Sequence, residues 1–353
     1  MMPSISIHKE AAYYNALNII CKADYKTLKN LKEKYKTWGK AFEYSRTSSC
    51  DIRNELEKLE RDGIGIVLFE DDEYPALLKH IHAPPFGIYY KGTWREDKEC
   101  LAIVGTRKAT NQGKMVTREW SKECAEAGVV IVSGLAYGMD AVAHEGACDA
   151  RARTVAVLGC GLKTIYPRQH ISLAKRILEH GGVIISEYPY EFPTYPINFV
   201  QRNRIIAGLS RGVLVVEAPF KSGTLITAKL GLEENREIWV VPGPVTHPNY
   251  MGSHALIKDG AHLVTSVDDI LQLFPVKRKG GEGGLFLREK EEYDNKEQHM
   301  ICDILKKAGR PLGIDEIIER THLTASLVHA SLTMLVLNNI LLESNNVYEI
   351  RYR

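Results

Sequence analysis

The residues best equipped for chemistry in this sequence are glycines, arginines, lysines and serines gathered in four short segments downstream of apolar runs, the third after an irregular loop from Tyr188 to Pro196 that follows Glu187. After Leu101–Val104 come residues 105–113, GTRKATNQG, where Gly105 lets the chain turn, Arg107 and Lys108 present charge, and Gly113 opens a helix. After Val129–Val132 come residues 133–147, SGLAYGMDAVAHEGA. There Ser133, Gly134 and Gly138 permit close backbone approach, and their amides with the next helix N-terminus make an anion site. Asp140 stands where an N-cap would, and His144 lies one turn further on. Residues 198–210, NFVQRNRIIAGLS, bracket Asn203 between Arg202 and Arg204 at the start of a helix, with Phe199 exposed just before it. Guanidiniums grip phosphates in bidentate fashion, and an aromatic ring stacks on an unpaired base. The fourth segment follows Glu217 and offers Lys221-Ser222-Gly223-Thr224 at a helix start, a second anion cradle.

Four such segments at one sheet edge point to a phosphate-bearing ligand that is bound rather than transformed. His144, His170, His247 and His254 are dispersed, and no serine occupies a G-x-S-x-G elbow. Glu187 and Glu217 read as ion-pair partners of Arg202 or Arg204. No catalytic set, metal site or cofactor is expected. The dinucleotide fingerprint G-x-G-x-x-G and the Walker pattern are both missing, which removes the main support for a nicotinamide or nucleotide-triphosphate enzyme. A packing role for the glycines, with Asp140 capping and His144 in the core, remains open from these residues alone.

The elements that must position these segments are legible from periodicity. Ile64–Phe69, Leu101–Val104, Val129–Val132, Thr154–Leu158, Val183–Ser186, Val213–Val216 and Ile238–Val241 read as buried strands. Helical patterns at Gly113–Ala127, Ile171–His180 and Leu225–Glu234 fill gaps between them. Strand–helix alternation predicts an α/β domain over residues 63–275, a Rossmann-like parallel sheet with helices on both faces. Residues 1–62 predict a small helical domain. It is basic, with eight Lys/Arg against three Asp/Glu between Lys22 and Arg46. Residues 276–296, glycine-rich and mixed in charge, read as a linker. Residues 297–353 predict helices at Met300–Ala308, Ile314–Arg320 and Ala325–Leu337. A hairpin through Asn345-Asn346 would complete a winged helix. From Ile301 to Ser344 this module has four Lys/Arg against five Asp/Glu, and Ala325–Leu337 has none of the former. Duplex reading needs cationic phosphate contacts, so this part is expected to pack or to contact protein.

Composition narrows the setting. The 353 residues carry 46 Lys/Arg and 44 Asp/Glu, a net charge of +2 that neither announces nor excludes a nucleic-acid partner. The seven cysteines are scattered singly, which argues against a disulfide framework and a structural zinc site. No secretory leader and no apolar run of membrane-spanning length is evident, so a cytoplasmic protein is expected.

Taken in order, VGTRKAT, SGLAYGMDAVAHEGA, TVAVLGCGLKTIYP, SEYP, NFVQRNRIIAGLS, KSGTLITAK, VVPG and GSHALIKDGA resemble the DNA-processing protein A (DprA, also called Smf) family. They span about Leu101 to Ala261. The resemblance implies a cytoplasmic protein that binds single-stranded DNA without sequence preference. It further implies protection of incoming strands during natural transformation and loading of RecA recombinase. A homodimer through about residues 250–270 is also implied. The family's DNA-contacting positions map to Arg107, Phe199, Arg202, Asn203, Lys221, Ser222 and Gly223. Two positions depart from the family pattern: Tyr137 stands where Arg is common, and His170 where Asn is frequent. The competing expectation is a hydrolase of the same Rossmann-like superfamily that releases the base of a nucleoside monophosphate, using Ser222-Gly223-Thr224 with Glu217 and Arg202.

Overall fold

The computed structural model describes residues 7–45, 50–275, 296–308, 310–337, 340–344 and 347–350. The chain divides into two compact units, Met1–Lys279 and Gly280–Arg353. The expected linker lies outside the described residues except for Lys296, and so does the Asn345-Asn346 turn.

The first unit begins with four helices, α1 (Lys9–Ile20), α2 (Tyr25–Tyr35), α3 (Trp38–Ser45) and α4 (Ile52–Arg61). Asp24 and Asp51 cap α2 and α4 by accepting from Thr27 N and Arg53 N. These helices share a core with the sheet that follows. Tyr14, Leu17 and Trp38 are fully buried in one cluster with Ile66, Tyr89 and Leu158. Each such side chain contributes about 1.5–3 kcal/mol of apolar burial. The Tyr89 hydroxyl donates to Asn15 Oδ1 at 2.9 Å, and Asn18 Nδ2 donates to the Glu187 carbonyl at 3.2 Å, tying α1 to the sheet.

The remaining elements of this unit are β1 (Ile64–Leu68), α5 (Ala76–Lys79), β2 (Gly87–Gly92), β3 (Cys100–Val104), α6 (Asn111–Glu126), β4 (Val130–Ser133), α7 (Met139–Asp149), β5 (Thr154–Leu158), α8 (Ile171–Glu179), β6 (Val183–Ser186), α9 (Pro196–Gly208), β7 (Gly212–Val215), α10 (Gly223–Glu233), β8 (Glu237–Val240), α11 (Met251–Lys258), β9 (His262–Leu263) and α12 (Val267–Leu271). Strand and helix alternate from β3 onward, β2 passing directly to β3. Nine strands form one sheet in the order β1-β2-β6-β5-β4-β3-β7-β8-β9. From β6 to β9 every pairing is parallel, as expected. β2 departs from the expectation, because it runs antiparallel to both β1 and β6 and makes the sheet mixed. Side chains alternate across the sheet, as the pleat requires. In β3, Ala102 and Val104 enter the cluster on one face, and Leu101 and Ile103 the cluster on the other.

The second unit contains α13 (Lys296–Ala308), β10 (Leu312–Gly313), α14 (Ile314–Thr321), α15 (Ala325–Leu337), β11 (Leu341–Ser344) and β12 (Val347–Ile350). β12 lies between β10 and β11, antiparallel to both. Ile301, Leu305, Ile317, Val328, Leu332 and Tyr348 lie in its own small core. Arg310 and Arg320 both pair with Glu316, at 2.8 and 2.7 Å.

Candidate nucleic-acid interface

In an open parallel sheet, ligands settle beyond the strand carboxyl ends, where the strand order reverses. Here the chain leaves β3 toward β4 and later returns to its other side as β7, so the reversal lies between β3 and β7. All four sequence segments emerge at this edge.

The loop after β3 is pinned at its base. Thr106 N donates to the Glu217 carbonyl at 2.8 Å, and Met139 N donates to the Thr106 carbonyl at 3.2 Å. Thr110, not Gly113, begins α6: its hydroxyl accepts from Gly113 N at 2.9 Å. Gly113 serves close approach instead, since a Cβ there would lie 2.1 Å from Glu217 Oε1. Arg107 and Lys108 are left exposed at the tip. The Arg107 guanidinium lies over the Phe199 ring, 5.6 Å from its centroid, a cation–π arrangement. Phe199 is not ahead of its helix but in the first turn of α9, half-buried, with the Tyr166 ring 5.4 Å away.

The loop after β4 differs from expectation. Ser133 and Gly134 are buried and their donors are spent: Ser133 Oγ donates to the Ile103 carbonyl at 2.6 Å, and Gly134 N to Asp140 Oδ2 at 3.1 Å. They cannot offer an anion cradle. Asp140 reaches back from the first turn of α7 to hold this loop, and the cap position belongs to Gly138. Gly138 is required by its geometry, with φ +77° and a Cβ that would meet the Thr106 carbonyl at 2.3 Å. Burial raises the Asp140 pKa, opposed by the Arg202 charge and by the Ala136 and Gly134 amides. His144 is fully buried in the core, with Nδ1 2.8 Å from Thr154 Oγ1. Burial pushes its pKa down to about 3.

The arginines of α9 face inward, which corrects the expectation for Arg202. It is 3% exposed, and its guanidinium donates to the carbonyls of Gly134, at 2.7 Å, and Val157. Burial lowers its pKa, with the Asp140 charge opposing. A Cβ on Gly134 would strike this guanidinium at 2.3 Å, so the glycine exists to admit it. Arg202 therefore positions the β4 and β5 loops and has no reach to a phosphate outside. Its Nε donates to Asn203 Oδ1 at 3.2 Å, orienting that side chain. Arg204 pairs with Glu187 at 2.5 Å and lies over the Tyr25 ring, so its charge is already balanced.

Across the reversal, Lys221 is exposed in a left-handed conformation, φ +60°, beside Phe220, which is 60% exposed. Ser222 precedes α10, and its hydroxyl is buried with no partner among the described residues. Gly223 is open, with nothing within 4 Å of a Cβ, whereas Thr224 is buried. Glu217 does not meet Arg202. Its fully buried carboxylate accepts from the Thr110 hydroxyl, from Asn249 Nδ2 at 2.7 Å and from the Tyr250 hydroxyl at 3.3 Å. Among the described residues, no group of three or more His, Cys, Asp or Glu is arranged to hold a metal ion. No helix among them is long and apolar enough to cross a membrane.

The outward face thus combines Arg107, Lys108 and Phe199 with aromatic residues the sequence reading passed over: Tyr166, Tyr195 and Phe220, all exposed. Tyr166 and Phe220 carry a signal in the sequence, since each shares its loop with a lysine, Lys163 and Lys221, whereas the loop of Tyr195 holds no cation. The two departures from the family pattern meet here. The Tyr137 and His170 rings are 5.2 Å apart edge-on, and the Tyr137 hydroxyl donates to Gln169 Oε1 at 2.5 Å.

The family model described as DNA recombination-mediator protein A matches residues 65–275. The chain is 42% identical over 222 residues to protein Smf of Escherichia coli, covering 63% of this chain and 59% of that protein. It is 39% identical over 237 residues to DNA processing protein DprA of Bacillus subtilis, covering 64% and 80%. Among solved structures it resembles DNA processing protein A of Streptococcus pneumoniae at 35% identity and TM-score 0.59, over 67% of this chain and 81% of that one. A second is DNA processing protein A of Helicobacter pylori, described for its single-stranded DNA binding mode. It matches at 28% identity and TM-score 0.52, over 59% and 94%. With the matched segments lying in family order along the edge just described, the chain belongs to the DNA recombination-mediator protein A family.

Proposed function

We propose that this chain binds single-stranded DNA along the carboxyl edge of its parallel sheet, and that it protects incoming strands and loads RecA recombinase during natural transformation. The observation that carries the reading is the pairing of Arg107, exposed at the tip of a pinned loop, with the half-buried Phe199 ring of α9, flanked by Tyr166. A cation for phosphate and a ring for an unpaired base are the two components that grip single strands without regard to sequence. Lys108, Asn203, Lys221 and the open Gly223 extend the contact, and the single-stranded DNA binding mode described for the Helicobacter pylori relative supports it. The same reading includes a cytoplasmic homodimer through about residues 250–270. Exposed Met251 and Leu263 and the single-partner edge strand β9 support that interface.

The activity is binding without turnover. The hydrolase reading would need Glu217 and Arg202 to face a ligand, yet Glu217 is sealed by Thr110, Asn249 and Tyr250, and Arg202 holds backbone carbonyls. Fluorescence anisotropy with oligo-thymidine across a salt series tests the proposal. Phe199→Ala is expected to weaken binding at every salt concentration by about 1–3 kcal/mol, one lost stacking contact. Lys221→Ala is expected to flatten the salt dependence by about 0.7, one lost phosphate. Wild-type binding by both variants, or base release from a nucleoside monophosphate, overturns it.

A further inference from the structure

The amino-terminal helices carry a basic surface that the sheet-edge site does not use. Lys22, Lys26, Lys34, Lys36 and Lys40 are all exposed, and none makes an ion pair among the described residues. By contrast Lys32 pairs with Glu70 at 2.7 Å and Lys29 with Glu33 at 3.9 Å. The acidic residues of this stretch are few. They are Asp24, which caps α2, Glu33, and Glu43 on α3. At the far end of α2 the cations meet a ring. Tyr44 is 68% exposed and stacks on Tyr35 with centroids 5.0 Å apart, and Lys34 Nζ lies 4.9 Å from the Tyr35 centroid.

This surface joins the sheet-edge site through α9. The Arg204 guanidinium lies 5.9 Å from the centroid of Tyr25, the first residue of α2. At about 1.5 Å per residue, Phe199 to Arg204 advances about 7.5 Å and Tyr25 to Lys34 about 14 Å. Followed along α9 and α2, the path from Phe199 to Lys34 is therefore at most about 27 Å, which about eight stacked nucleotides cover at roughly 3.4 Å each.

We propose that the α2–α3 surface, with Lys34, Lys36 and Lys40 for phosphates and Tyr44 for a base, is a second contact for the same single strand, continuing it from the sheet edge. The inference rests on the function proposed above. Free ammonium groups around an exposed, already stacked ring suit an unpaired polynucleotide better than an acidic polypeptide, which has no base to stack.

The test uses the full-length protein and two oligo-thymidines, of about five and about 20 nucleotides, the shorter too short to reach both surfaces. The variants are Lys34→Gln/Lys36→Gln/Lys40→Gln together, and Tyr44→Ala, each checked for wild-type melting. The triple variant is expected to bind the shorter strand as wild type does and the longer one at least tenfold more weakly at low salt. Its salt slope for the longer strand is expected to flatten by about 2, three phosphates at roughly 0.7 each. Tyr44→Ala is expected to weaken the longer strand at all salt concentrations, and the matching Lys→Arg triple to restore wild-type binding. An unchanged slope for the longer strand overturns the inference. So does an equal loss for both strands, or displacement of the longer strand by polyglutamate as effectively as by unlabelled oligo-thymidine. Failure of the sheet-edge reading has a separate signature, Phe199→Ala binding the shorter strand as wild type does.

Discussion

Replacing Arg202 separates a residue that grips the ligand from one that builds the site. Arg202→Met keeps the length and apolar stem of the side chain while removing every donor. Two charge-assisted hydrogen bonds, to the Gly134 and Val157 carbonyls, are lost in a buried setting, each worth about 1.5–3 kcal/mol. Asp140, also buried, loses the cationic neighbour that favours its charged form. Part of this is offset because methionine carries no charge to desolvate. A net loss of about 3 kcal/mol is expected, or roughly 6–12 °C in melting temperature for a unit of this size. Thermal unfolding followed by circular dichroism reads it directly. Well below the variant's melting temperature, single-stranded DNA binding is expected to stay within about threefold of wild type with an unchanged salt slope, because the guanidinium releases no counterion. A variant that melts like wild type but binds DNA with a flatter slope would refute the reasoning, since Arg202 would then be reaching a phosphate.

Three further outcomes follow from the same loops. Gly138→Ala, forced into φ +77° with a Cβ 2.3 Å from the Thr106 carbonyl, is expected to cost at least about 2 kcal/mol and to reduce DNA affinity by shifting Arg107. Gly223→Ala, at a position with open space, is expected to melt like wild type; equal destabilisation of the two would contradict the distinction. His144 is held neutral to about pH 3 when folded, while an unfolded histidine titrates near 6.5, so below that pH the unfolded chain binds the extra proton. Stability from this group is complete well above pH 6.5 and is lost as the pH falls through it, by about 2 kcal/mol in all at pH 5. His144→Asn is expected to remove that part of the acid sensitivity, and urea titrations that show the same loss of stability from pH 7 to pH 5 in both proteins would exclude it.

The parallel strands could be read from the sequence because each is a short β-branched run buried on both faces. Thr154–Leu158 and Val183–Ser186 have the expected limits. β2 escaped because GIYYKG is bounded by glycines and mixes tyrosine with lysine, and its place between β1 and β6 is set by pairing across the chain. β9 has only two residues, both exposed, so it has no apolar pattern to detect. The edge bearing the site was legible from glycine and cation content, whereas the direction each side chain faces was not. Arg107 and Arg202 have the same chemistry in sequence. One tops a loop fixed at its base, while the other springs from the face of α9 that packs on β5 and turns inward to the Gly134 and Val157 carbonyls. The same holds for Ser133 and Gly134, whose donors are claimed by Ile103 and Asp140, residues that only folding brings near.

The resting position of Arg107 on the Phe199 ring has a kinetic consequence. A nucleobase that seats on that face must evict the guanidinium, and the evicted group swings free to meet the adjoining phosphate. Capture is then an encounter followed by an exchange of partners on one ring. The observed association rate should level off at high oligonucleotide concentration in stopped-flow traces, and with Arg107→Ala it should climb linearly over the same range.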